Sequence, residues 1–106
     1  MNRKQREVWD AVVLRDRGVC QACGSPGAEV HHIVGRGYHK KRPELIWRKE
    51  NMMCACKQCH DGARNQRARF RHLNILMDRY GYVYREEPWT EILRRGLEWK
   101  EYLSSI

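Results

Sequence analysis

The sequence predicts a small α+β fold in which two short strands and a following helix lie between N- and C-terminal helices. Two Cys-x2-Cys pairs, at residues 20–23 and 56–59, mark the two sides of the central region. Stretches with the composition of short strands, at residues 30–34 and 51–55, lie between the pairs. Outside them, apolar side chains recur at helical spacing. With 106 residues, we expect a single domain covering residues 1–106.

Each element has its own signal along the chain. Apolar residues at helical spacing predict a first helix over about residues 4–17, which Gly18 would end. Residues 45–47 fit either a turn of helix or the end of a strand. A helix over residues 60–80 would stop at Gly81, and residues 82–84 would form a short extended segment. Thr90 is expected to cap a last helix. Its apolar face, which we expect to be core, carries Ile92, Gly96, Trp99, Leu103 and Ile106.

The charge of the chain favours a polyanionic partner. The formal net charge is +8, and phosphates attract lysine and arginine over long distances. A soluble surface that merely happens to be cationic remains the alternative. Apolar runs are short, such as the four residues at 11–14, so we expect neither a signal peptide nor a spanning helix, and a cytoplasmic protein.

The cysteines favour a metal site. Five cysteines in a chain without a predicted secretory signal argue against a disulfide framework. Zn²⁺ prefers four soft ligands in a tetrahedron, and each Cys-x2-Cys pair supplies two thiolates from one turn. Symmetry between the pairs selects Cys56 over Cys54, although the register of the second pair stays open. A redox pair or unliganded buried cysteines are the alternative interpretation.

Histidines lie between and beside the cysteine pairs. His31 and His32 are adjacent on a predicted strand, where successive side chains point to opposite faces, and His60 directly follows the second pair. A neutral imidazole can accept a proton from water at neutral pH, and another can bind a divalent ion. We interpret His39 and His72 as ordinary surface or core residues.

The order of these residues resembles the HNH endonucleases, whose core is the ββα-metal nuclease fold. The resemblance covers about residues 20–64: a cysteine pair, a His-bearing strand, an Asn, and a second cysteine pair followed by His. It implies that His32 is the general base, that Asn51 orients the loop between the strands, and that His31 and His60 bind one catalytic divalent ion. It also implies a structural zinc site made by Cys20, Cys23, Cys56 and Cys59.

The resemblance implies hydrolysis of DNA phosphodiester bonds. Two imidazoles without a carboxylate suit Mn²⁺, Ni²⁺ or Zn²⁺ better than Mg²⁺, which prefers oxygen ligands. We therefore expect activity with Mn²⁺ or Ni²⁺ at least equal to that with Mg²⁺. Small relatives occur in phages and bacteria, so a bacterium or a phage-infected host is the expected setting, and a homodimer or phage packaging proteins are candidate partners.

Basic residues are expected to contact DNA phosphates. A helix beginning at His60 would carry Arg64, Arg67 and Arg71 on the face of that histidine. The polar loop after the first strand would contribute Arg36, Lys40, Lys41 and Arg42. A solvated helix face is the alternative. Contacts mainly to phosphates predict weak sequence preference and strong salt dependence.

Two other classes of protein remain open at this point. The first is a zinc module without catalytic activity that binds nucleic acid or a partner protein. The second is a thiol redox protein, which the similarity of the two cysteine pairs disfavours. Stoichiometric zinc would separate the redox protein from the others, and cleavage of DNA would separate the nuclease from the module.

Overall fold

The computed structural model describes residues 1–35, 42–61 and 65–105. Four helices and two strands follow one another as α1 (Arg3–Asp16), β1 (Glu29–His32), β2 (Met52–Ala55), α2 (Lys57–Asp61), α3 (Gln66–Tyr80) and α4 (Trp89–Ser104). Two 3-10 turns, Pro43–Leu45 and Lys49–Asn51, precede β2. The first of them resolves the ambiguity near Leu45 in favour of a helical turn. The predicted α+β class is confirmed.

The strands form an antiparallel pair whose two faces pack against different helices. His31 pairs with Met53, and His32 pairs with Met52. Because side chains alternate across a strand, the face that carries Met52 and Cys54 packs on Val12 of α1. The opposite face, with Met53, packs on the larger core formed by α3 and α4. The two neighbouring histidines therefore leave β1 toward different sides of the sheet.

The prediction of one continuous helix over residues 60–80 is wrong. Helix α2 ends at Asp61, and Asn65 has an extended backbone with φ −109° and ψ 166°. The Asn65 side chain accepts a hydrogen bond from the Ala68 amide, which starts α3 as a new helix. The predicted stop at Gly81 is confirmed, since this residue has φ 71° and closes α3.

The end of α1 is tied to the sheet and to α3 through Asp16. Its buried carboxylate accepts hydrogen bonds from the Cys54 amide at 2.8 Å and from the Tyr80 hydroxyl at 2.6 Å. Arg15 donates to the same carboxylate. A buried carboxylate with several donors is stabilised in its charged form. Helix α1 is thereby fixed on the sheet at the point where the first cysteine pair begins.

Helix α4 differs from its prediction at both ends. It begins at Trp89, so Thr90 lies inside the helix and does not cap it. Its first turns belong to the core, where Gly96 lies directly on the Phe70 ring of α3. Its last turns are exposed, as shown by side chains that are 64% and 59% exposed at Tyr102 and Leu103. The expectation that the apolar face is core is therefore wrong at Leu103, and Ile106 lies outside the described residues.

The predicted extended segment at residues 82–84 is not part of the sheet, which has two strands among the described residues. Tyr84 is nevertheless buried, and its hydroxyl donates to the Glu50 carbonyl at 2.6 Å. None of the helices in the described ranges has both the length and the apolar character needed to span a bilayer.

Candidate functional site

The four predicted zinc ligands lie together. The sulfurs of Cys20, Cys23, Cys56 and Cys59 are all within 4.8 Å of one another. Four thiolates that bind Zn²⁺ at about 2.3 Å in a tetrahedron have their sulfurs about 3.8 Å apart. The Cys23 and Cys56 sulfurs are 3.7 Å apart, which fits such an ion. The cluster can therefore hold a zinc ion with little movement.

Local backbone geometry builds each half of this cluster. In the first pair, the Gly24 amide donates to the Cys20 carbonyl at 2.8 Å, and the Cys20 amide donates to the Ser25 carbonyl at 2.8 Å. In the second pair, the His60 amide donates to the Cys56 carbonyl, so that Cys56 directly precedes α2 and Cys59 lies on its first turn. Two tight turns thus present their sulfurs to one another across the end of the sheet.

Hydrogen bonds lower the pKa of one of these thiols, that of Cys23. Ser25 lowers the pKa of Cys23 to about 6, because its side chain and backbone both hydrogen-bond the sulfur. The hydrogen bond between Cys59 and Cys56 raises the pKa of Cys59 to about 12. Thiolates are the form that binds zinc, so metal binding would release the proton that Cys59 retains.

Cys54 is outside the cluster. It is fully buried on β2, opposite Val30, and burial raises the pKa of its thiol to about 11. A thiol with these properties behaves as a small apolar side chain. The structure therefore groups Cys56 with the first pair, and the register ambiguity of the second pair is resolved.

The two strand histidines have different surroundings, as the alternation predicts. His32 is half-buried, and its Nδ1 lies 2.9 Å from the Ile46 carbonyl, with the ring edge-on to Trp47 at 4.8 Å. A carbonyl only accepts, so Nδ1 carries the hydrogen and Nε2 carries the lone pair. His31 is 7% exposed and its Nδ1 lies 3.2 Å from the His32 carbonyl, which likewise leaves the lone pair on Nε2.

His60 approaches His31, as the resemblance implies for two ligands of one ion. Their ring centres are 4.8 Å apart. Both rings line a cleft of about 340 Å³, whose wall also includes Lys57. The Nε2 atom of His31 is buried without a hydrogen-bond partner. A buried lone pair that no protein group uses, on a ring next to a second imidazole, fits a nitrogen ligand for a divalent ion.

His72, interpreted from sequence as an ordinary residue, lies beside this pair. Its ring is 3% exposed and edge-on to His31, with the centres 5.4 Å apart. The third imidazole next to His31 is therefore His72, while His32 points to the other side of the sheet. One sequence signal was present: His72 is four residues from Ala68 and from Leu76, both buried on α3.

The buried imidazoles are held neutral. Burial, together with the charges of His72 and His60, lowers the pKa of His31 to about 3. Burial, with the neighbouring Arg71 charge, lowers the pKa of His72 to about 4. Neutral imidazole is the form that binds metals. At neutral pH, both rings can act as ligands without first losing a proton.

Asn51 holds the loop that carries the Ile46 carbonyl. Its fully buried amide donates to the carbonyls of Val34, at 2.8 Å, and of Ile46, at 3.2 Å. Its oxygen accepts from the Val34 amide and from the Trp89 indole. Asn51 and His32 therefore hydrogen-bond the same carbonyl, that of Ile46. Trp89, which contributes from α4, was not identified from sequence.

The basic residues are only partly described. Arg36, Lys40, Lys41 and Arg64, together with His39, lie outside the described residues. Arg42 is paired with Glu44 at 2.9 Å. Arg67 lies over the Trp99 ring, and with Arg71 it lines a groove between α3 and α4. Arg67 and Arg71 were predicted to share one helical face with His60. That prediction is wrong, because His60 lies on α2 and the two arginines lie on α3, which begins as a separate helix after Asn65.

Comparison with known proteins agrees with this geometry. Residues 20–66, just under half of the chain, match the family model described as HNH endonuclease. The match spans both cysteine pairs, β1, β2 and α2, and confirms the family resemblance of the sequence. Neither the curated proteins nor the solved structures give a match to this chain.

Proposed function

We propose that this chain, which carries the HNH endonuclease match, is a metal-dependent DNA endonuclease. His32 would act as the general base, and His31 and His60 would hold one divalent ion. The observation that carries the proposal is the hydrogen bond from His32 Nδ1 to the Ile46 carbonyl, because it fixes the tautomer of the proposed base, which directly follows the proposed ligand His31 in β1. We also propose that residues 1–106 work as one nuclease domain.

His32 is equipped to remove a proton from water. Its hydrogen bond to Ile46 puts the proton acceptor on Nε2, and Trp47 restricts rotation of the ring. A general base must have the correct tautomer and orientation before its pKa matters. Asn51 supports this orientation from behind, by holding the Ile46 carbonyl in place.

The imidazole pair supplies the second requirement of phosphodiester hydrolysis. When bound, a divalent ion would neutralise charge on the phosphoryl oxygens and support the leaving 3′-oxygen. His31 and His60 present nitrogen ligands, which suit Mn²⁺, Ni²⁺ or Zn²⁺ better than Mg²⁺. Lys57, on the wall of the same cleft, provides a positive charge for a phosphate there.

The charge of the chain supports a polyanionic substrate. A net charge of +8 favours DNA contacts through phosphates, with affinity that falls steeply as salt increases. Arg67 and Arg71 on α3, and Arg42 near the 3-10 turn, are the described arginines that we propose for these contacts. Residues 36, 40, 41 and 64 are proposed from sequence alone.

The test is nicking of supercoiled plasmid by the full chain with Mn²⁺, Ni²⁺ or Mg²⁺. His32→Asn can still donate to Ile46 but has no basic nitrogen, so we expect cleavage to fall by about 10²–10⁴-fold with zinc content unchanged. Leu14→Ala, exposed on α1, serves as the matched control for preparation effects.

Equal cleavage by His32→Asn and the natural sequence would contradict the proposed base. Absence of cleavage with every ion, together with retained DNA binding, would favour the zinc module without catalytic activity.

A further inference from the structure

We propose that His72 is a third imidazole ligand of the divalent ion, so that the site has three nitrogen ligands from three separate elements. The inference rests on the proposed function, since it concerns the same ion. His72 lies on α3, beyond the segment that matches the family model. Its role is therefore argued from the structure of this chain alone.

The first observation is a pair of buried nitrogens that no protein group uses. His72 Nδ1 and His31 Nε2 are both buried without a hydrogen-bond partner. Natural proteins rarely bury such atoms unpaired, because the lost hydration is not replaced. Two of them on neighbouring rings indicate a common partner, which a cation between the rings would provide.

The second observation is the spacing of the rings. Two imidazoles that share an ion at about 2.0–2.1 Å have ring centres about 4.5–5.2 Å apart, for angles at the ion between about 90° and 110°. The centres of His31 and His60 are 4.8 Å apart, and those of His31 and His72 are 5.4 Å apart. His31 is thus the central ring, and each neighbour is at or close to ligand spacing.

The three imidazoles are spaced more widely than the four thiols. Among the described ranges, the cysteine cluster is the one group of three or more ligand atoms within 4.8 Å of one another. His60 is exposed on α2 and can turn toward the buried pair. His31 and His72 form the fixed part of the site, and His60 completes it.

Three imidazoles have a chemical consequence that two do not. Catalytic zinc sites commonly use three protein ligands and leave a further position for water or substrate. Each added nitrogen strengthens binding most for metals late in the Irving–Williams series. His72 would therefore contribute more to Ni²⁺ affinity than to Mn²⁺ affinity.

The experiment measures metal binding, not cleavage. The full chain is prepared with one zinc per molecule and titrated with Ni²⁺ or Mn²⁺ by calorimetry. In His72→Phe, which keeps an aromatic ring in the core, we expect the Ni²⁺ dissociation constant to increase by about 10–100-fold and the Mn²⁺ constant to change less. Asn74→Ala, on the same helix with a half-buried side chain, is the matched control and should match the natural sequence.

A second variant separates loss of a ligand from damage to the fold. His72→Asp offers an oxygen ligand, so we expect it to restore Mn²⁺ binding relative to His72→Phe while Ni²⁺ binding stays weak. If His72→Phe does not fold, nitrogen NMR of the natural sequence gives the answer, because a second equivalent of zinc should shift the His72 Nδ1 resonance together with that of His31 Nε2.

The outcomes distinguish this inference from the proposed function. Unchanged Ni²⁺ affinity in folded His72→Phe, or an unshifted His72 Nδ1, overturns the third ligand. If His31→Ala still abolishes binding in that case, the ion on His31 and His60 stands. If the natural sequence binds no second ion, both proposals fail.

Discussion

Replacing Asn51 with alanine should destabilise the protein far more than any other Asn→Ala substitution in the described residues. The amide of Asn51 is fully buried and joins three segments of the chain. It bonds both backbone groups of Val34, at 3.0 and 2.8 Å, as well as the Ile46 carbonyl and the Trp89 indole nitrogen. Alanine cannot replace any of these contacts.

The size of this loss in unfolding free energy depends on which buried groups lose their hydrogen bond. A buried polar group left unpaired costs about 1–3 kcal/mol. Ile46 keeps its hydrogen bond from His32, so its loss is partial, whereas both backbone groups of Val34 lose their Asn51 partner. The expected loss is about 3–5 kcal/mol, a large part of the roughly 5–15 kcal/mol that stabilises a domain.

The assay is urea denaturation followed by circular dichroism, with one zinc per chain held constant because a bound ion adds to apparent stability. Asn65→Ala is the matched control. It removes one helix-capping bond, to the Ala68 amide, and should cost about 1 kcal/mol. A loss for Asn51→Ala no larger than that for Asn65→Ala would refute the importance of the buried amide.

Three further predictions concern the metal cluster, the helix contact and pH. Metal analysis should find less than one zinc per chain in Cys56→Ala and one zinc per chain in Cys54→Ala. Loss of zinc from both variants would contradict the assigned ligands. Gly96→Ala should lower the free energy of unfolding by about 1–3 kcal/mol in the same urea assay, because the added Cβ would lie 1.9 Å from a Phe70 ring carbon. An unchanged urea midpoint would mean that α3 and α4 can move apart without loss of stability. Burial lowers the pKa of His31 to about 3, against about 6.5 in the unfolded chain. As the pH falls, the unfolded state therefore binds this proton first, and the stability of the folded state should decrease from about pH 6.5 toward pH 3. His31→Gln should show a shallower decline of the urea midpoint, and parallel curves would contradict this cause.

The parts of the site that could be predicted from sequence are those set by local geometry. A spacing of two residues places two sulfurs on one turn, so the cysteine pairs identify the metal cluster without knowledge of the fold. Alternation along a strand likewise separates His31 from His32. Asn51 was identified through the resemblance, and its hydrogen bonds to Val34 and Ile46 agree with the implied role of holding the loop.

The parts that could not be predicted depend on contacts between distant segments. His72 is twelve residues after His60, and it lies on α3, which begins as a separate helix after Asn65 and not as a continuation of α2. The apolar spacing from Ala63 onward predicted one continuous helix, which concealed the capping signal of Asn65. Trp89 contacts Asn51 across 38 positions of sequence, and no local pattern reports such a contact.

The hydrogen bonds that Asp16 accepts from β2 and that Trp89 donates to Asn51 affect how this protein can be truncated or grafted. Each bond joins a residue outside the matched segment to one inside it. A polypeptide trimmed to residues 20–66 would keep its sulfur ligands but leave the Cys54 amide and the Asn51 side chain incompletely satisfied. Recombination or engineering that moves the matched segment into another protein would have to carry α1 and the start of α4 with it.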